Sequence, residues 1–185
     1  MGTNFPYTLL SLDDIRKKIR LISDFPKNGV IYRDLYSIYL DKHAFDSLVR
    51  HLAEMIKQEI GNFDCVAAVE AQGFIVGGAL AKYFNKGFLA IRKQHKLPGE
   101  TNALICPMEY ASVTLEIQKG VLGSKKKILI FDDTLATGQT ALAMERLISQ
   151  EQALIVGFAF LMETVHFGAR KLFGDKKIIS LLQFD

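Results

Sequence analysis

Cysteine is scarce in this chain: Cys65 and Cys106 are the only two among 185 residues. Two cysteines at this separation make no disulfide framework and fit no metal-ligand spacing. Cys65 lies in an apolar, strand-like run, so both read as free thiols in a reducing cytoplasm. No histidine pair has metal spacing either, and no metal site held by the protein alone is expected. No apolar run reaches the roughly 20 residues of a membrane span, and no signal-peptide pattern opens the chain, so no membrane partner is expected. Charge of one sign is also lacking. The net charge of +3 suits a small anionic ligand, but there is no basic stripe for nucleic acid. No internal repeat, low-complexity tract or Pro/Gly-rich linker divides the sequence. Residues 1–185 therefore read as a single domain with room for a sizeable core.

What is present centres on residues 128–140, Ile-Leu-Ile-Phe-Asp-Asp-Thr-Leu-Ala-Thr-Gly-Gln-Thr. Four apolar residues follow Lys125, Lys126 and Lys127, a solvated lead-in. A short apolar run of this kind reads as a buried parallel strand. Asp132 and Asp133 close it. A loop of small residues follows, then a helix marked by Met144, Leu147 and Ile148. Each part has a chemical use. Ala136, Thr137 and Gly138 let a ligand approach the backbone N–H groups. The next helix points its N-terminus at the same spot, and Thr137 and Thr140 add hydroxyl donors. With Gln139, these residues form a phosphate cradle, although not a Walker loop. Two carboxylates would repel a phosphate beside them but accept hydrogen bonds from vicinal hydroxyls. A ribose 5-phosphate fits both halves.

The rest of the chain supplies similar units. Ser11 and Asp14 make a capping box for a first helix with Leu12, Ile15, Ile19 and Ile22 on its apolar face. Residues 25–29 are a turn, and residues 30–32 are extended. Asp41 caps a long helix that Gly61 ends. Residues 65–69 read as a buried strand and residues 74–84 as a helix, with the turn Glu70-Ala71-Gln72-Gly73 between them. Residues 88–91 are a second strand, left by the basic cluster Arg92, Lys93 and Lys96. Ligands of open α/β sheets bind at such strand ends. Residues 101–110 show no period and carry Pro107, so they read as a long loop of the lid type. Residues 113–117 alternate as a strand. Residues 153–162 and 178–182 are further strands, with a short helix at 166–173 between them. The predicted fold is α/β, a mostly parallel central sheet flanked by helices, Rossmann-like in its connections.

The acidic pair and Thr-Gly loop resemble the ribose-phosphate signature of the type I phosphoribosyltransferases. Nearly the whole chain is similar to the adenine branch of that family. The landmarks are Phe25-Pro26, Tyr32-Arg33-Asp34, Glu70 to Phe74, Arg92-Lys93, Lys96-Leu97-Pro98-Gly99, Glu109-Tyr110, Leu115-Glu116-Ile117 and the central motif. The resemblance implies a small N-terminal hood at about residues 24–40 on the sheet domain. It also implies transfer of a phosphoribosyl group from phosphoribosyl pyrophosphate to adenine, with Mg²⁺ bound mainly through the substrate and a homodimer as the assembly. Ile31, Tyr32, Arg33 and Thr164 would bind the purine. Asp132 and Asp133 would take the ribose. The pyrophosphate would fall to Ala71, Gln72, Arg92, Lys93 and Lys96. Glu109 and Tyr110 would be catalytic and lie on the lid.

Four positions depart from the family pattern. Gln72 stands where an Arg is usual, and a cation facing pyrophosphate is lost. Gln139 replaces the second Gly of the phosphate loop and is strained if that position needs φ > 0. Thr164 replaces an aliphatic residue, and Tyr32 replaces Phe. Two other readings follow: a non-catalytic sensor of phosphoribosyl pyrophosphate or AMP, favoured by Gln72 and Gln139, and a transferase for a 6-oxopurine or xanthine. The retained Glu-Tyr and Tyr-Arg-Asp motifs argue against the second.

Overall fold

The computed structural model describes residues 8–107 and 112–185. They form two compact units, one ending at His51 and the other Leu52–Asp185. In the first, Ser11 caps α1 (Leu12–Lys18) as its capping box predicts. The Asp14 amide donates to Ser11 Oγ at 3.1 Å, and that hydroxyl donates back to Asp14 at 2.7 Å. The apolar face was expected to run on to Ile22, but the helix ends at Lys18. Residues Arg20–Ser23 instead form β1, antiparallel to β2 (Ile31–Asp34). The ladder and the ion pair from Arg20 to buried Asp34 outweigh one more helical turn. A short α2 (Tyr36–Tyr39) follows. Asp41 then caps α3 (Lys42–Met55), accepting from the His43 and Ala44 amides at 2.9 and 3.2 Å. The helix runs on past His51 into the second unit, where a π-helical turn, Ile56–Ile60, and Gly61 at φ +88° close it.

The second unit holds a seven-stranded sheet among the described residues, in the order β5-β6-β4-β3-β7-β8-β9. The strands are β3 (Cys65–Val69), β4 (Gly87–Lys93), β5 (Thr101–Pro107), β6 (Ser112–Gln118), β7 (Lys127–Leu135), β8 (Leu154–Thr164) and β9 (Ile178–Phe184). β4, β3, β7, β8 and β9 are parallel, while β6 and β5 add an antiparallel edge. The sheet is therefore mixed, with five parallel strands. Residues 101–107 were expected in a loop. They form β5 because β6 supplies a continuous antiparallel partner from Thr101↔Gln118 to Pro107↔Ser112. Pairing overrides a sequence without period.

β3 is buried along its whole length, as a strand covered on both faces must be. Ala67, Val69, Ile128 and Ile130 share a core with Ala141, Met144, Leu147 and Ile148 of α5 (Gln139–Gln150). Ala68 and Phe131 point the other way, to Gly77 of α4 (Gln72–Phe84). Helices therefore cover both faces. A Cβ at Gly77 would lie 2.9 Å from Ala68 Cβ and 3.2 Å from Phe131. Gly77→Ala is expected to lower unfolding stability by about 1–3 kcal/mol through overpacking, despite alanine's better helix propensity. An unchanged urea midpoint would show that α4 does not pack this closely.

β3 connects through α4 to β4 on one side, and β7 connects through α5 to β8 on the other. The order reverses between β3 and β7. In open α/β sheets that crevice, outside the carboxyl ends of the strands, is where ligands bind.

Candidate active site

A cavity of about 210 Å³ opens at this switch point. Val69, Glu70, Ala71, Gln72 and Gly73 come from the end of β3 and the start of α4. Asp132 and Asp133 come from β7, Thr140 from α5 and Lys93 from β4. Cys106, Val113 and Leu115, from the antiparallel edge, give it an apolar wall. The sequence had offered no sign of that wall, because residues 101–107 read as a loop and Cys106 as a plain thiol.

Asp132 and Asp133 do not end their strand. β7 continues through them to Leu135, since Thr134 and Leu135 pair with Met162 and Glu163 of β8. Asp132 is 6% exposed and accepts the Asp133 amide at 3.0 Å. Burial pushes its carboxyl well above the ordinary carboxylate range, and the Asp133 charge pushes the same way. Burial also raises Asp133. Asp132 is cut off from solvent and Asp133 is half-buried. Two hydroxyl donors from a ligand would restore what burial removes. Gly73 makes room for the pair, since a Cβ there would lie 3.2 Å from Asp132 Oδ1.

Two helices present their first turns at this end of the sheet. α4 starts after Ala71 and α5 after Gly138, and neither has a side-chain cap. Their first N–H groups therefore stay available for an anion. Gly138 has φ +82°, and a Cβ there would meet Ala169, Leu172 and Phe173 at 3.3 Å. Glycine is required at 138 on both counts. Gln139 was expected to be strained if its position needed positive φ. It does not: Gln139 is the first residue of α5, and its φ is outside the left-handed region. The one turn residue that needs glycine has it.

Among the other candidates, Lys93 lines the cavity, whereas Arg92 and Lys96 are ion-paired to Glu70 at 3.2 and 3.0 Å. Gln72 lines the cavity, and its buried Oε1 has no hydrogen-bond partner among the described residues. Ala136, Thr137 and Gln139 are half-buried in the loop before α5 and at its start. Thr164 is buried at the end of β8. Beside it lies a pair that sequence reasoning missed. Arg170 grips buried Glu163 with Nε at 2.9 and 3.1 Å and Nη2 at 2.8 Å, and also reaches Ser180 and the Ile178 carbonyl. These partners are seven and more residues apart, so only the fold brings them together. Ile31, Tyr32 and Arg33 lie on β2 of the N-terminal unit, where Tyr32 packs edge-on against Phe25 at 5.1 Å. Glu109 and Tyr110 lie outside the described residues.

A phosphoribosyl transferase domain model matches residues 36–184. The chain belongs to the phosphoribosyltransferase family. Within that family its relatives include adenine phosphoribosyltransferases. The one from Thermosipho africanus is 40% identical over 169 residues, covering 91% of this chain and 98% of the relative. Solved structures agree. The crystal structure of adenine phosphoribosyltransferase from Thermoanaerobacter pseudethanolicus superposes with a TM-score of 0.90 at 36% identity, covering 94% of this chain and all of that one. The Giardia lamblia enzyme complexed with 9-deazaadenine gives 0.88 at 32% identity, with 95% and 99% covered.

Proposed function

We propose that this chain transfers the phosphoribosyl group of phosphoribosyl pyrophosphate to adenine, giving AMP and pyrophosphate, and that its two units act as one transferase domain. The observation that carries the proposal is the carboxylate pair of buried Asp132 and half-buried Asp133, lining one switch-point cavity with the starts of two uncapped helices. Similarity to adenine phosphoribosyltransferases over nine-tenths of the chain supports the choice of substrate.

In this reading Asp132 and Asp133 accept hydrogen bonds from the two ribose hydroxyls. The loop Ala136, Thr137, Gly138, Gln139 and Thr140, with the α5 N-terminus, holds the 5-phosphate. Ala71, Gln72 and the α4 N-terminus face the pyrophosphate, with Lys93 beside them and Arg92 and Lys96 behind. Ile31, Tyr32, Arg33 and Thr164 take the purine. Glu109 and Tyr110 act at the reacting atoms, where general acid–base help is typically worth ~10²–10⁴-fold. As the bond to pyrophosphate breaks, positive charge grows on the sugar carbon and negative charge on the leaving group. The carboxylates favour the first, and the cations and helix N-termini favour the second.

Mg²⁺ fits this cavity as a substrate-borne ion. The carboxylates and the buried Gln72 Oε1 are hard oxygen donors of the kind it takes, directly or through water. Among the described residues no group of three or more acidic, His or Cys ligands could hold it without substrate oxygens. Bound there, it would neutralise charge on the departing pyrophosphate. No helix among the described residues is long and apolar enough to cross a membrane. The reading extends to a homodimer in the cytoplasm, which the mass in solution tests for the assembly.

The purine is tested by offering adenine, hypoxanthine, guanine and xanthine separately with phosphoribosyl pyrophosphate and Mg²⁺. Adenine is expected to give the highest kcat/KM. A higher value for any 6-oxopurine assigns the hood and Thr164 to that class instead.

A further inference from the structure

Glu70 leaves β3 at the cavity wall with a side chain only 8% exposed. Three donors converge on its carboxylate. The Lys93 amide donates to Oε1, and Arg92 Nη2 and Lys96 Nζ lie 3.2 and 3.0 Å from Oε2. Arg92 Nη1 also donates to the Lys96 carbonyl at 3.2 Å, which closes the turn on itself. From the other side, buried Glu116 accepts the His95 amide at 3.1 Å. His95 sits at φ +66°, a conformation that a non-glycine residue keeps when its surroundings enforce it. Two carboxylates therefore fix this turn: Glu116 holds its backbone, and Glu70 holds its cations.

The charges explain what such a grip does. Arg92, Lys93 and Lys96 fall within five residues. Left alone, three long cations repel and extend into solvent. A near-buried carboxylate among them cancels one charge and holds the other two beside the cavity that Lys93 lines. Burial works to raise the Glu70 carboxyl, but its donors outweigh burial and hold it below its ordinary value, so it is ionised at neutral pH. Gln72, two residues further on, adds no charge to this end of the cavity.

We propose that Glu70 is a positioning residue that gathers Arg92 and Lys96 at the end of the cavity where pyrophosphate binds. The proposal rests on the reading of this cavity as a phosphoribosyl pyrophosphate site. Glu70 does not touch the reacting atoms. Its effect passes through the two cations and reaches only ligands that carry the pyrophosphate.

The reverse reaction separates that effect from a general loss of structure, because AMP and pyrophosphate are then varied independently. Glu70→Gln keeps the size and an acceptor for the Lys93 amide but removes the charge. It is expected to raise KM for pyrophosphate about tenfold, the scale of one charge-assisted contact, and to leave KM for AMP within about twofold. Glu70→Asp keeps the charge on a shorter arm and should restore part of the loss. A lower KM for pyrophosphate in Glu70→Gln would overturn the proposal, because the carboxylate would then merely compete with the ligand. Equal changes for both ligands, or none, would overturn it too. If the wild-type protein makes no AMP at all, the functional reading fails instead. Calorimetric titration with magnesium pyrophosphate then decides the role of Glu70: tenfold weaker binding by Glu70→Gln sustains it, and equal or tighter binding overturns it.

Discussion

Asp132→Asn should weaken the use of phosphoribosyl pyrophosphate by about ten- to a hundredfold and, at neutral pH, raise the melting temperature of the ligand-free protein. The first effect follows from the hydroxyl contact: a hydrogen bond to a charged acceptor contributes roughly 1.5–3 kcal/mol, and an amide offers one acceptor where the carboxylate offers two. The second follows from burial. The folded-state pKa of Asp132 lies well above its unfolded value, chiefly through desolvation and then through Asp133. The folded protein therefore binds this proton more tightly than the unfolded chain does. Stability from this group is fully present below the unfolded pKa and is lost as pH rises through the folded one. At neutral pH the cost of carrying Asp132 in its buried site opposes folding, and Asn removes that cost while still accepting the Asp133 amide. The gap in melting temperature should shrink as pH falls. Asp133→Asn should act the same way on the substrate. A melting temperature lowered at neutral pH would contradict the burial argument. An unchanged KM for phosphoribosyl pyrophosphate in both variants would remove the ribose assignment.

Gln72→Arg is the second large effect, and it is a gain. Gln72 lines the cavity with a buried Oε1 that no donor among the described residues meets, close to two carboxylates. An acceptor in that place does nothing for an anion. A guanidinium offers bidentate hydrogen bonds to phosphate and carries charge. The substitution is expected to tighten phosphoribosyl pyrophosphate binding about tenfold, equivalent to ~1.4 kcal/mol. AMP affinity should hardly change, because AMP has no group at that end. Calorimetry on both variants with both ligands decides it. Equal gains for the two ligands, or none, would mean that the turn after β3 does not face pyrophosphate.

Much of this site was legible because its parts are local. The run 128–131, the acidic pair and Gly138 all fall within one short stretch of chain, and a strand-to-helix turn needs nothing distant to form. β3 matched its sequence bounds because a strand buried on both faces is apolar at every position. Elements that depend on distant partners were not legible. Residues 101–107 carry no period of their own and become a strand only beside β6. Ile22 keeps helical spacing, yet its strand pairs with residues 31–34. The same holds for side chains. The basic cluster was visible, but Glu70 as the group that binds Arg92 and Lys96 was not, since those partners lie 22 and 26 positions away. The concern over Gln139 came from the second glycine of the family's loop, and the backbone puts its only positive φ in that loop at Gly138.

The central claim is that this chain catalyses transfer and does not merely bind the substrates. Product stoichiometry tests it most directly. The protein is incubated with adenine, phosphoribosyl pyrophosphate and Mg²⁺, and AMP and pyrophosphate are quantified together over time. The account predicts one pyrophosphate per AMP over many turnovers, and neither product when adenine is omitted. Binding of phosphoribosyl pyrophosphate with no AMP above background would contradict it and make the chain a sensor.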